Sequence, residues 1–204
     1  MIVNNNSALI LVDIQNDFCP GGSLAVKEGD EIVPVVNELQ RRFALVVATK
    51  DWHPVGHSSF ATLWPPHCVQ ETAGAEFVAG LDTSRLARVF LKGADPEVDS
   101  YSGFFDNKRG RATGLGDYLR ERGVTDVTIV GLATDYCVKY TALDARLLGF
   151  NTTVVADACR GVEVQEGDTA RAVEEMAAAG VHITESRQLL DASESEASDI
   201  QRRA

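Results

Sequence analysis

Six short apolar runs punctuate the chain, and most of them end on or beside a charged residue. They are Ser7 to Asp13 (SALILVD), Ala44 to Lys50 (ALVVATK), Arg88 to Lys92 (RVFLK), Asp126 to Val130 (DVTIV), Thr152 to Ala156 and Val181 to Thr184. Runs of this length, rich in β-branched residues, predict buried strands. Between them the apolar period lengthens. Asp30 to Arg42 carries Ile32, Val35, Val36 and Leu39 on one helical face, a helix starting near Thr113 extends through Gly116 to Arg122, and Asp168 to Ala179 is a further helix. The longest helix predicted is Asp135 to Leu148. Tyr136, Tyr140, Leu143 and Leu147 form one stripe on it, and Val138, Ala142 and Ala145 form a second, so the helix is expected to be buried. Thr134 suits its N-cap, Asp135 the positive end of its dipole, and Gly149 its stop. Strands alternating with helices predict a three-layer α/β fold, a roughly six-stranded parallel sheet with helices on both faces.

Three stretches resist either period: residues 14–29, 52–84 and 93–111. Long irregular loops inside a compact domain usually carry function. The expected organisation is one domain over 1–186 and a polar tail over 187–204. A net charge of -11 argues against nucleic acid or an anionic membrane as partner, since both need a basic footprint. No run is long enough to cross a bilayer. The four cysteines are scattered without a CxxC pair, and the expectation is a cytoplasmic chain with reduced thiols. No Gly-rich phosphate-cradling motif follows a strand, so no nucleotide cofactor is expected, and Gly21-Gly22 reads as turn chemistry.

In an open α/β sheet ligands bind beyond the carboxyl ends of the strands. Asp13 ends the first strand, Lys92 the third, and Cys137 follows the fourth. Base, electrostatic support and nucleophile are what acyl transfer needs. Each has a plainer reading: Asp13 as a turn former, Lys92 as a solvated strand end, Cys137 as a small core residue. The first turn of a helix would lower the Cys137 pKa, and the stretch by itself leaves nucleophile and core residue both open. In the second loop Asp51 and His53 point the same way in extended backbone. With His57 and His67, that loop holds three of the chain's four histidines. Carboxylate and imidazole suit one divalent ion, Zn first with Fe or Mn as alternatives. The favoured ligands are Asp51, His53 and His67 with water completing the shell, and His57 is left open as a further ligand.

DIQNDFCPGGSL (Asp13 to Leu24), TKDWHPVGHSSF (Thr49 to Phe60), WPPHCVQETAGAEF (Trp64 to Phe77), KGADPEVDSYSGF (Lys92 to Phe104) and GLATDYCV (Gly131 to Val138) occur in this order. Together they resemble the nicotinamidase/pyrazinamidase group of the isochorismatase-like hydrolases, over roughly residues 7 to 185. The resemblance implies an isochorismatase-like fold of Rossmann-like topology and a Cys-Asp-Lys amidase built on Cys137, Asp13 and Lys92. It implies hydrolysis of nicotinamide, and of pyrazinamide, through a cysteine thioester in NAD salvage. It implies a metal on Asp51, His53 and His67 facing the substrate's pyridine nitrogen. Pocket walls map onto Phe18, Trp64, Tyr101 and Tyr136. A cis peptide between Leu132 and Ala133 is implied too, aiming the Ala133 and Cys137 amides into one oxyanion hole. Rival readings are an isochorismatase-like amidase acting on a carbamoyl or ureido substrate, a metal-water hydrolase with a structural cysteine, and a non-catalytic binding protein. The partner expected is a small molecule, and a homo-oligomer is left open.

Overall fold

The computed structural model describes residues 6–191. Its sheet holds β1 (Ser7–Val12), β2 (Leu45–Asp51), β3 (Leu86–Lys92), β4 (Asp126–Leu132), β5 (Asn151–Arg160) and β6 (His182–Thr184), in the order β3-β2-β1-β4-β5-β6. Every pairing is parallel. The strand order reverses at β1, where Ile10 lies between Val47 of β2 and Ile129 of β4. β1 reads as unbroken hydrophobicity because helices cover both faces. Leu9 and Leu11 pack beneath α1 (Val33–Gln40) and α5 (Ser186–Leu190). Ala8, Ile10 and Val12 pack against α2 (Leu115–Arg120), α3 (Lys139–Leu147) and α4 (Asp168–Ala178). Leu9, Ile10 and Leu11 are fully buried, each stabilising the fold by about 1.5–3 kcal/mol relative to exposure. This is the three-layer architecture expected from the alternating periods.

Several boundaries differ from the sequence expectation, each for a local reason. The helix expected from Asp30 opens as a 3-10 turn over Gly29–Ile32 and becomes α-helical at Val33. Pro34 then sits in the first α turn, where its missing N–H costs nothing. β5 runs ten residues, twice the expected length. Asp157, inside the added length, accepts the Ser186 N–H and so anchors α5. α5 carries Leu189 into the core, so packed chain continues past the domain end expected at 186. The rest of the expected tail, 192–204, lies outside the described residues.

The helix expected over Asp135 to Leu148 is two pieces. Thr134–Val138 is one wide π turn, in which the Ala133 carbonyl accepts from both Tyr136 N (3.1 Å) and Val138 N (3.0 Å), and regular α3 begins at Lys139. Thr134 is inside the turn, Ala133 takes the cap position, and no side chain caps it. The core-facing stripe is the small one, Val138, Ala142 and Ala145. On the stripe of large residues, Tyr140 is 41% and Leu147 68% exposed. Small side chains let the helix lie close on the sheet, which turns the bulky ones outward. Among the described residues no helix is long and apolar enough to cross a membrane, and the four cysteines are unpaired.

Candidate active site

Four strands deliver the chemistry to one edge. The chain leaves β1 through Asp13 in a left-handed conformation, β2 ends on Asp51, β3 ends on Lys92, and β4 feeds the turn holding Cys137. The side chains of Lys92 and Asp13 are fully buried. Lys92 Nζ stands 2.6 Å from Asp51 Oδ1, 2.8 Å from the Ser100 carbonyl, 3.4 Å from Cys137 Sγ and 2.8 Å from Asp13 Oδ2. An ammonium has three hydrogens. Asp51, Ser100 and Cys137 accept from Nζ in hydrogen-bond geometry, whereas Asp13 Oδ2 meets it chiefly as an ion pair. Its other oxygen accepts from Thr49 Oγ1 at 2.6 Å. An acceptor atom of Asp13, one of Asp51 and the sulfur of Cys137 lie within 4.8 Å of one another. Asp13 thus presents a carboxylate oxygen beside a thiol.

The charges interlock. Burial alone would lower the Lys92 pKa, but Asp13 and Asp51 hold it well above the usual lysine value. Burial would raise Asp51, yet Lys92 and His53 keep it well below the carboxylate range. Asp13 goes up, through burial and the neighbouring Asp51, against the pull of Lys92. Cys137 also goes up, contrary to the lowering that a helix N-terminus and Lys92 would give: burial dominates, and Asp13 and Asp51 oppose the pull of Lys92. The resting sulfur is a thiol. In chelator-treated protein its alkylation rate should therefore climb about tenfold per pH unit from neutral pH to pH 9. A plateau in that rate before pH 8 would show a pre-formed thiolate instead.

A narrow cleft opens onto Cys137. All four expected walls, Phe18, Trp64, Tyr101 and Tyr136, line it together with Ala133. Trp64 Nε1 donates to the Tyr101 hydroxyl at 3.2 Å, and both rings meet the edge of Tyr136. The Leu132–Ala133 peptide is cis. Asp135, one residue before Tyr136, accepts from Val162 N and Glu163 N at 2.9 and 2.8 Å, which brings Val162 into the wall. Val162, Leu24 and Asp99 line the cleft without having been singled out from the sequence. Asp99 and Thr49 both stand inside the quoted motifs, and Thr49 shares a strand face with Asp51, which was the available signal.

Asp51 and His67 also line the cleft, and ligand atoms of Asp51, His53 and His67 lie within 4.8 Å of one another. Nδ1 of His53 meets the Gly93 carbonyl at 2.9 Å, and Nδ1 of His67 meets the Pro65 carbonyl at 2.8 Å. A carbonyl only accepts, so Nδ1 carries the proton in each ring and Nε2 presents a lone pair. Those lone pairs face the same oxygen, Asp51 Oδ2, at 3.5 and 3.8 Å. His53 Nε2 is buried with no hydrogen-bond partner. Burial would lower the His53 pKa, but Asp51 and Asp99 raise it overall, so the surroundings demand positive charge at that point. The donors fit a divalent cation. A side chain at Gly93 would spoil the fit, since its Cβ would fall 2.5 Å from the His53 ring. His57 stacks 4.3 Å from His53 and groups with His53 and Asp99, while its Nδ1 pairs with Ser59.

Known proteins resemble this chain over nearly its whole length. The isochorismatase domain family matches residues 7–188. The nicotinamidase of Escherichia coli is 49% identical over 198 residues, covering 86% of this chain and 93% of its own. The crystal structure of PnC1 from L. infantum in complex with nicotinate superposes with a TM-score of 0.88 at 40% identity, covering 93% and 98% of the two chains. The pyrazinamidase of Pyrococcus horikoshii in complex with zinc does so with 0.80 at 46% identity, covering 88% and 99%. With a parallel sheet of this strand order, a buried lysine joining two carboxylates to a cysteine, and a match across nearly every described residue, the chain belongs to the isochorismatase family.

Proposed function

We propose that the protein is a nicotinamidase, hydrolysing nicotinamide, and pyrazinamide with it, to the aromatic acid and ammonia. The observation that carries the reading is Lys92 Nζ, in contact at once with Asp13, Asp51 and Cys137, the last two of which line an aromatic cleft. The relatives named above, a nicotinamidase at 49% identity and a nicotinate complex of the same fold, point the same way.

The substrate ring enters between Phe18 and Trp64. Cys137 Sγ attacks the carboxamide carbon while its proton passes to Asp13 Oδ2. At reference pKa values that transfer is uphill by roughly 6 kcal/mol. A raised Asp13 narrows the gap and a raised Cys137 widens it, so the proton moves with the attack and not ahead of it. The oxyanion that forms takes the amides of Ala133 and Cys137, a donor of this kind contributing about 3 kcal/mol. Asp13 returns the proton to the leaving nitrogen, ammonia departs, and a thioester remains on Cys137. Asp13 then draws a proton from water, which attacks the thioester, and the acid and the thiol are released. Lys92 stays charged throughout and holds Asp13 and Sγ in place.

A divalent ion, zinc by preference, would be held by Asp51, His53 and His67. Bound there, it supplies a Lewis-acid contact for the ring nitrogen of a pyridine or pyrazine amide. A zinc complex is the bound form of one relative. The reactants are small, and we place the enzyme in the cytoplasm, in NAD salvage. Ammonia release from nicotinamide should fall sharply when the ion is chelated and return on adding zinc. Turnover indifferent to a chelator that strips the protein of metal would remove the ion from the reaction.

A further inference from the structure

Asp13 is the first of three alternating polar side chains, Asp13, Gln15 and Asp17, on the loop that leaves β1. Gln15 is fully buried. Its Oε1 accepts the Asp51 N–H at 2.8 Å, and its Nε2 donates to the Asp51 carbonyl at 2.8 Å and the Ala75 carbonyl at 2.9 Å. β1 has ended at Val12, so no strand remains on that side to pair with Asp51. The Gln15 amide takes the place of the missing peptide and grips the main chain of Asp51 from both sides. Asp17 does the same for the other half of the ligand set. Its Oδ2 accepts the N–H of Cys68, the residue after His67, at 2.7 Å, and Ser23 N approaches Oδ1 at 3.3 Å. Gly74 makes room for it, since a Cβ there would fall 2.0 Å from Asp17 Oδ2. Gly74 has no left-handed backbone to explain the glycine, so the carboxylate is the reason for it.

We infer that Gln15 and Asp17 are positioning residues for the metal ligands, Gln15 fixing Asp51 and Asp17 fixing His67. The inference rests on the metal reading above. Supporting groups of this kind typically alter metal affinity by about 10- to 100-fold. Removing either residue also strands a buried main-chain N–H next to a ligand, and the ligand moves as that group seeks a partner.

The test is the zinc dissociation constant, by competition with a chromogenic chelator, on purified full-length chains whose near-ultraviolet circular dichroism matches wild type. Asp17→Ala should bind zinc about 10- to 100-fold more weakly. Asp17→Asn keeps an oxygen that accepts the Cys68 N–H and should stay within about threefold of wild type, a rescue that lost packing alone would not give. Gly74→Ala should mimic Asp17→Ala, because its methyl displaces the same carboxylate. In the Asp17→Ala background it should add nothing further. Gln15→Met, which keeps volume but loses all three hydrogen bonds, should weaken zinc comparably. Should Gln15→Met not fold, the Asp17 and Gly74 series decides alone. Unchanged affinity in Asp17→Ala, or a Gly74→Ala effect that adds in full to it, overturns the inference while leaving the metal reading intact. A wild-type chain that binds no zinc overturns both.

Discussion

Replacing Cys137 with alanine should reduce nicotinamide turnover by roughly 10⁴- to 10⁶-fold, the loss seen when an enzyme is deprived of its nucleophile and keeps only its binding and oxyanion groups. The fold should hardly register the change. Cys137 is a small buried side chain whose sulfur takes one of the three hydrogens of Lys92. Its removal leaves a cavity of about one atom, for a cost of about 1 kcal/mol. Steady-state ammonia release and urea unfolding on the same preparation separate the two effects. A Cys137→Ala protein that still turns over within tenfold of wild type would make the sulfur structural.

Lys92→Met should have the largest effect on stability of any single substitution in the site. Among the described residues Lys92 is the sole cation in contact with both Asp13 and Asp51, and all three side chains are buried. Taking one partner from a buried ion cluster costs about 3–5 kcal/mol, because uncompensated charge stays inside. The pH dependence has a definite sign. Without the ammonium, both carboxyls rise above their unfolded values, so the folded state binds more protons than the unfolded one and stability falls as pH rises. The deficit relative to wild type should be largest near neutral pH and shrink as pH is lowered toward the raised carboxyl values. Urea unfolding of chelator-treated proteins at pH 7.5 and pH 5 measures it. Equal deficits at the two values would show that volume, and not charge, was lost. Activity should vanish as well, since Asp13 would then be protonated and could not accept the thiol proton.

Much of this site could be read from the chain because strand ends are where an α/β sheet displays chemistry. Asp13, Asp51 and Lys92 close apolar runs, so their meeting at one edge followed from the parallel order alone. The aromatic walls came from motif resemblance and not from any period: Trp64 and Tyr101 sit in loops whose path the local sequence does not encode. The π turn at Thr134–Val138 escaped because a single i to i+5 turn leaves the helical apolar period almost unchanged. The expected burial of both stripes of this helix holds only for the small one, because apolarity does not say which face has the closer neighbour. Ala142 and Ala145 meet the sheet, whereas Tyr140 stacks on Tyr101 at 5.4 Å near the cleft. Gln15 and Asp17 escaped for a different reason. Their partners are main-chain groups of Asp51 and Cys68, and a side chain that substitutes for a peptide has no compositional signature. The thiol acidity was misjudged because the dipole argument is local, while two carboxylates and full burial reach Cys137 from other strands.

One titration asks whether Cys137 forms the bond to substrate. Iodoacetamide is added in steps, the carboxamidomethylated fraction of Cys137 is read by peptide mass spectrometry, and ammonia release from nicotinamide is measured at each step. Activity should fall in a straight line with that fraction and reach zero at full modification. Full modification of Cys137 with ammonia release still running would contradict it.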